Sequence, residues 1–99
     1  MSRDPIRILE SSCVMEALIF ISEHEGCTKM DVYRGVVRNS AMPAKLDMMA
    51  EAGLISFSVR GRSTRIDLTD TGRRVAACLA EIRDILANPR PSEDFEDMM

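Results

Sequence analysis

Apolar side chains recur at helical spacing in the middle of the chain, between residues 42 and 52. Leu46 and Met49 lie three residues apart, so they share one face of a helix. Pro43 is tolerated in the opening turn of a helix, because its missing N–H would have no partner there. Gly53 follows the last apolar position, where a helix often ends in a left-handed conformation. The pattern therefore predicts a helix over residues 42–52.

Beyond this helix the pattern changes to alternation. Ile55, Phe57 and Val59 alternate with polar residues, which predicts a strand with its apolar side chains on one face. Gly61 marks a turn, and a second alternating run follows over residues 65–68. These features predict a two-stranded hairpin.

A shorter helix is predicted before the central one. Thr28, followed three residues later by Asp31, has the form of a capping box with aspartate in place of the preferred glutamate. Apolar positions over residues 32–37 favour a helix after this cap. A tight turn at residues 38–40, with Ser40 as the next cap, would join the two helices into a helix-turn-helix unit.

Long apolar stripes mark both ends of the predicted domain. A helix is predicted over residues 4–25, with a possible kink or break at Ser11-Ser12, and Thr69 caps a second long helix that ends at Asn88. The first helix is apolar around most of its circumference, which indicates that it is buried on more than one side. We expect both helices to pack against a second copy of the chain. The expected dimer contacts are Ile6, Leu9, Val75, Leu79, Ile82 and Leu86.

This order of elements resembles the winged helix-turn-helix domains of small prokaryotic transcription regulators, which include the MarR, ArsR and PadR types and single-domain archaeal regulators. The resemblance covers about residues 28–86. The matching residues are Leu46, Met49, Gly53, Leu54, Ile55, Ile66, Leu68, Thr69, Gly72 and Arg73. The resemblance implies an α+β, mostly helical fold with a two-stranded wing and a long C-terminal helix. It also implies a homodimeric transcription regulator that binds double-stranded DNA.

The net charge of −3 argues at first against nucleic acid as a partner. The charge is unevenly distributed, however. Residues 28–74 carry nine lysines and arginines against five acids, whereas residues 1–27 and residues 90–99 each carry a net charge of −3. Positive charge therefore coincides with the part that resembles a DNA-binding domain. We expect one domain over residues 1–88 and an acidic, disordered tail over residues 89–99.

Candidate DNA contacts are more convincing on the hairpin than on the central helix. Three arginines surround the Gly61 turn, and guanidinium groups on a wing suit phosphates or a narrow minor groove. A charged edge that prevents sheet aggregation is the alternative. The central helix offers Lys45 as its one cation, and no Arg, Gln or Asn for a bidentate base contact. The full set of candidate contacts is Lys29, Arg34, Arg38, Ser40, Lys45, Arg60, Arg62 and Arg65.

Other interpretations stay open on the sequence. One is a protein-binding winged-helix adaptor without DNA affinity. It is favoured by the lack of base-contacting side chains on the central helix and by the negative net charge of the chain. A ligand- or redox-responsive regulator would need a pocket between the first and last helices. Arg73 and Arg74 could pair with Asp67 or Asp70 as readily as contact DNA.

The sequence gives little support for an enzymatic activity or a metal site. His24 and Cys27 lie three residues apart, but a metal site needs three or four ligands and no others lie near them. Cys13 and Cys78 lie on apolar stripes, where we expect core positions, and three cysteines make no disulfide framework. We therefore expect no catalysis and no cofactor. The absence of a signal-like or membrane-spanning stretch favours a cytoplasmic protein without a membrane partner.

Overall fold

The computed structural model describes residues 4–11, 13–36 and 41–89. The fold is α+β and mostly helical, as the resemblance implies. The elements in chain order are a 3-10 helix at Pro5–Glu10, α1 at Val14–Glu23, α2 at Lys29–Gly35, α3 at Met42–Glu51, β1 at Ile55–Arg60, β2 at Ser63–Leu68 and α4 at Asp70–Ala87. The two strands pair antiparallel, with Ile55 opposite Leu68 and Arg60 opposite Ser63.

The hydrophobic core is built around α1, which contacts α2, α3, α4 and β2. Leu18 of α1 is fully buried and belongs to the same cluster as Leu46 and Met49 of α3 and Ile66 of β2. The predicted apolar stripe of α3 is therefore confirmed as its core face. Leu68 packs against this cluster but is only half-buried.

The predicted helix starts and stops are confirmed where they depend on local hydrogen bonds. Thr28 and Asp31 make both bonds of the capping box, at 3.2 and 2.9 Å. Thr69 Oγ1 accepts from the Gly72 N–H at 3.0 Å and so caps α4. Gly53 has φ +81°, the left-handed conformation expected after α3. These caps need only neighbouring residues, which is why the sequence could predict them.

The segment predicted over residues 4–25 is not one continuous helix, and it is interrupted where a kink or break was considered, since Ser11 is the C-cap of its first part. Asp4 does cap a helical segment, since its carboxylate accepts from the Ile6 N–H, but that segment is a 3-10 helix that ends at Glu10. Cys13 follows with φ +69° as the N-cap of α1, so the stripe of Ile6 does not continue into α1. Helix α1 also ends at Glu23, and Gly26 turns the chain with φ +83°.

Three smaller expectations also need correction. The N-cap of α3 is Ala41 rather than Ser40, which lies outside the described residues. Strand β2 starts at Ser63, two residues before the predicted run. Cys78 is exposed rather than part of the core, whereas Cys27 is buried. The position of Cys78 follows from the side of α4 that α1 covers, which helical spacing alone does not specify.

The hairpin is attached to the helix-turn-helix by a connection that the sequence pattern did not predict. The Ile66 N–H donates to the Cys27 carbonyl at 2.9 Å, and Thr28 forms a β-bridge with Arg65. The segment between α1 and α2 therefore pairs with β2 through a single isolated bridge. This pairing holds the middle of β2 against the start of α2. Among the described helices, none is long and apolar enough to cross a membrane.

Candidate DNA interface

The tip of the β1–β2 hairpin carries two exposed arginines. Arg60 and Arg62 lie on either side of Gly61, whose φ of +63° allows the tight turn. The Ser63 hydroxyl donates to the Arg60 carbonyl at 3.1 Å and closes the turn. No ion pair joins either guanidinium to an acid in the part of the chain that the structure describes. Both side chains are therefore available to an anionic partner.

Arg65 does not join the other two arginines at the tip. It lies opposite Ser58 in the ladder, two residues before the last pair, which is about 7 Å along the strand. Its Nε donates to Asp67 Oδ1 at 3.0 Å, in a half-exposed ion pair. The structure thus places Arg65 in the middle of the hairpin with a carboxylate partner, although the sequence pattern grouped it with Arg60 and Arg62.

The two described cations of α2 differ in their surroundings. The ammonium of Lys29 lies 4.4 Å from the centre of the Phe57 ring, within the range of a cation–π contact with β1. Arg34 is exposed in the last turn of α2. Lys29 therefore helps to hold the hairpin against α2, and Arg34 is the cation of α2 that faces solvent. Arg38 lies outside the described residues.

Lys45, a predicted DNA contact, makes a hydrogen bond within the chain. It is half-buried, and its Nζ donates to Ser11 Oγ at 3.2 Å, which ties α3 to the end of the 3-10 helix. The first helical turns of the chain therefore occupy the side of α3 where Lys45 emerges. Helical spacing placed Lys45 beside the apolar stripe, but only the tertiary structure shows which segment it meets.

The exposed face of α3 includes two acids, Asp47 and Glu51, that the sequence pattern did not single out. Ala44, Asp47, Met48 and Glu51 are exposed and lie opposite the buried stripe. Asp47 is an acid, so it was not among the predicted contacts, which are chiefly cations. Its spacing from Leu46 and Met49 was a sufficient signal that it faces outward.

Four large apolar side chains are exposed on the terminal segments. Ile82, Ile85 and Leu86 are 51%, 61% and 74% exposed on the second half of α4, and Ile6 is 61% exposed on the 3-10 helix. Three of them, Ile6, Ile82 and Leu86, were predicted as dimer contacts. Single exposed apolar residues are ordinary, but three on one helix end form a patch that favours a partner.

The other predicted dimer contacts lie within the single chain. Leu79 is only 6% exposed and belongs to its core, so it is not available to a second copy. Leu9 and Val75 are half-buried and pack against the same core. The apolar stripe of α4 therefore divides: its first half covers α1, and its second half is open.

The ion pairs that Arg73 and Arg74 could make with Asp67 or Asp70 are not found among the described residues. Asp67 is already paired with Arg65, and the interhelical pair of α4 is Arg83 with Glu23 at 2.9 Å. Arg73 lines a cleft of about 210 Å³ between α1, β2 and α4. A ligand-responsive regulator would need its pocket at this place, between the first and last helices.

His24 and Cys27 are accounted for by ordinary packing. The His24 ring stacks on Phe20, with centroids 4.0 Å apart, and its Nδ1 lies 2.9 Å from the Phe20 carbonyl oxygen. Burial raises the pKa of the Cys27 thiol, and the negative charge of Asp31 adds to that effect. A protonated, buried thiol is a poor nucleophile and a poor metal ligand at neutral pH.

Together, the helix pair α2–α3, the hairpin β1–β2 and the helix α4 define a winged helix-turn-helix domain. No protein-family model matches the sequence, and no curated protein matches it either.

Solved structures with the same fold include proteins from an archaeon and from bacteria. AF1382 from Archaeoglobus fulgidus has a TM-score of 0.72 and 23% identity, and the match covers 86% of this chain and 99% of that one. The Staphylococcus aureus MepR–DNA complex has a TM-score of 0.66 and 22% identity, over 95% and 78% of the two chains. A MarR protein from Peptoclostridium difficile has a TM-score of 0.71 and 14% identity, over 94% and 67%. The chain is therefore similar in fold to MarR-type winged-helix proteins.

Proposed function

We propose that this protein is a homodimeric transcription regulator of the MarR type that binds double-stranded DNA. In this proposal the outward face of α3 enters the major groove, and Arg60 and Arg62 on the wing contact the phosphate backbone or the adjacent minor groove. Arg34 is a further candidate for a phosphate contact, and the proposed function involves no catalysis. Arg38, Ser40 and Lys45 remain predicted contacts, and Lys29 and Arg65 are predicted contacts that already have partners within the chain.

The observation that carries the proposal is the pair of unpaired guanidinium groups at the wing tip. Two exposed arginines beside one glycine turn repel each other, and no carboxylate among the described residues offsets that repulsion. A polyanion such as DNA removes the repulsion and gains charge-assisted hydrogen bonds. The fold likeness to a regulator that was solved in complex with DNA supports the same conclusion.

The homodimer is proposed on the exposed half of α4 together with Ile6. A two-fold dimer would cover Ile82, Ile85 and Leu86 and would present two α3 helices to half-sites about one helical turn apart. A single domain offers only one α3 helix and leaves this apolar patch in water. The dimer proposal therefore accounts for the exposed patch and predicts an operator with two-fold symmetry.

The test is a titration of labelled duplex DNA of mixed sequence at two salt concentrations, with the protein and with an Arg60→Ala/Arg62→Ala variant. We expect steep weakening with salt for the wild-type protein. We expect the variant to bind more weakly to every sequence, and its salt slope should fall by about one for each phosphate that it no longer neutralises. Both residues are exposed, so thermal melting should show an unchanged fold.

Two control variants distinguish the effect of the wing arginines on DNA affinity from a general effect of net charge. Arg7→Ala/Arg83→Ala removes the same charge from two arginines that already have carboxylate partners, and we expect a much smaller loss of affinity. Both arginines lie beside the proposed dimer surface, so sedimentation must show that this variant keeps the oligomeric state of the wild type. Arg60→Lys/Arg62→Lys keeps the charge and should retain most of the salt slope. Binding that is unaffected by Arg60→Ala/Arg62→Ala would exclude the wing. Absence of salt-dependent binding by the wild-type protein would favour the protein-binding adaptor instead.

A further inference from the structure

The outward face of α3 has an unusual chemistry for a helix that enters a DNA groove. Its exposed side chains are two acids and two apolar groups, namely Ala44, Asp47, Met48 and Glu51. Lys45, the one cation of the helix, is half-buried and donates to Ser11. Apart from this engaged ammonium group, the described part of α3 offers no side-chain donor to the O6 and N7 acceptors of guanine, which are the commonest targets of arginine and lysine.

Asp47 can accept hydrogen bonds but cannot donate them when it is ionised. In the major groove, guanine presents two acceptors, thymine presents the O4 acceptor, and adenine presents an amino donor beside the N7 acceptor. Cytosine alone presents the N4 amino donor with no acceptor next to it. A carboxylate at this position is therefore attracted by cytosine and repelled, wholly or partly, by the other three bases.

Met48 and Ala44 are apolar groups next to Asp47 on the exposed surface of α3. Met48 is 38% exposed and lies on the same outward face, one residue after Asp47, while Ala44 lies one turn before Met48. The one apolar group on a base edge in the major groove is the C5-methyl group of thymine. Burial of Met48 against that methyl group removes apolar surface of both partners from water.

We propose that α3 reads a half-site in which cytosine faces Asp47 and a thymine methyl group faces Met48, with Ala44 small enough to allow close approach. This assignment rests on the proposed DNA-binding function and specifies the bases that it selects. Glu51 is the last residue of α3, one turn beyond Asp47 and farthest from the N-terminal end of the helix, so we assign it no part in the readout.

The experiment begins with the enrichment of binding sites from a pool of random duplexes, using the full-length protein and an Asp47→Asn variant. Loss of a negative charge near phosphates raises affinity for every sequence, so the measurement is the ratio of affinities for the cytosine and adenine versions of the enriched site. An asparagine pairs with adenine N6 and N7, and we therefore expect the preference to change from cytosine to adenine by about tenfold. Glu51→Gln removes the same charge one turn further along and should leave the ratio unchanged.

Thymine is tested by substitution of uracil, which lacks only the methyl group. We expect uracil at the enriched position to weaken wild-type binding about fourfold, and to have little effect on a Met48→Ala variant. Met48 and Asp47 are both exposed, so circular dichroism and thermal melting should confirm that each variant is folded.

The outcomes distinguish this inference from the proposed function. If Asp47→Asn enriches the same site as the wild type, or if guanine is selected opposite position 47, the assignment of Asp47 is overturned while salt-dependent DNA binding stands. If the effect of uracil is the same in Met48→Ala, the assignment of Met48 is overturned. If the wild-type protein binds no duplex at either salt concentration, both the proposed function and the inference are overturned.

Discussion

Gly72 lies in the first turn of α4, directly against the backbone of Leu54. A Cβ atom added at Gly72 would overlap the Leu54 carbonyl oxygen and would lie 2.9 Å from its carbonyl carbon. The same carbonyl accepts from the Thr69 N–H at 3.0 Å. Glycine is therefore needed here for close approach of two backbone segments, although its φ is an ordinary helical one.

We predict that Gly72→Ala destabilises the domain by about 1–3 kcal/mol, because a backbone carbonyl cannot move aside as a side chain can. Alanine would otherwise be favoured over glycine within a helix by about 1 kcal/mol. The measurement is the free energy of unfolding in urea.

Ala77→Gly is the control for Gly72→Ala, since Ala77 is exposed on the same helix. There we expect the ordinary order, with alanine more stable than glycine by about 1 kcal/mol. A Gly72→Ala protein at least as stable as the wild type would contradict the close approach.

At the scale of elements, Thr69 joins three of them. Its Oγ1 accepts from the Gly72 N–H at the start of α4, and its hydroxyl donates to the Gly53 carbonyl after the end of α3. Its own position follows directly after β2. One hydroxyl group therefore fixes the start of α4 relative to both the helix-turn-helix and the wing.

We predict that Thr69→Ala costs about 1–2 kcal/mol of unfolding free energy, because the cap of α4 is removed and the Gly53 carbonyl no longer has this donor. Thr69→Ser keeps the hydroxyl group and should retain most of the stability. Equal destabilisation of the two variants, measured by urea unfolding, would show that the threonine methyl group, rather than the hydroxyl, is responsible.

At the scale of the whole molecule, the second half of α4 decides whether two copies associate. From Glu81 onward the described residues of α4 are all exposed, including three large apolar side chains. In the first half of the same helix, Ala76 and Leu79 are buried. The helix is therefore longer than the core of one domain requires.

We predict that Ile82→Glu/Leu86→Glu converts a dimer to a monomer in sedimentation at micromolar concentration. Burial of four carboxylates at a two-fold interface is unfavourable, whereas the same groups in a monomer remain in water. DNA affinity should fall much more than the melting temperature of the winged domain. The matched control is Ala77→Glu, which adds a carboxylate at an exposed position beside Arg74 and Glu81 and should remain dimeric. A wild-type protein that sediments as a monomer would contradict the dimer.

The local features of this protein could be predicted from the amino-acid sequence alone. The Thr28 and Thr69 caps, the left-handed Gly53 and the two strand runs depend on residues within a few positions of each other. Hydrogen bonds and backbone preferences of that range are present in the sequence pattern itself. The resemblance to winged-helix regulators followed from the order of these features, and the described fold agrees with it.

What each face of an element meets depends on the packing of the whole chain. Periodicity identifies the residues that share a face, but it does not say how far along a helix that face is covered. Leu79 and Ile82 belong to one predicted stripe, yet α1 and the rest of the core cover only Leu79. In the same way, the sequence showed that Lys45 and Arg65 are cations near the predicted interface. Their hydrogen bonds to Ser11 and Asp67 depend on how the segments pack, because Ser11 and Lys45 are 34 positions apart and their contact is not specified until the chain is folded.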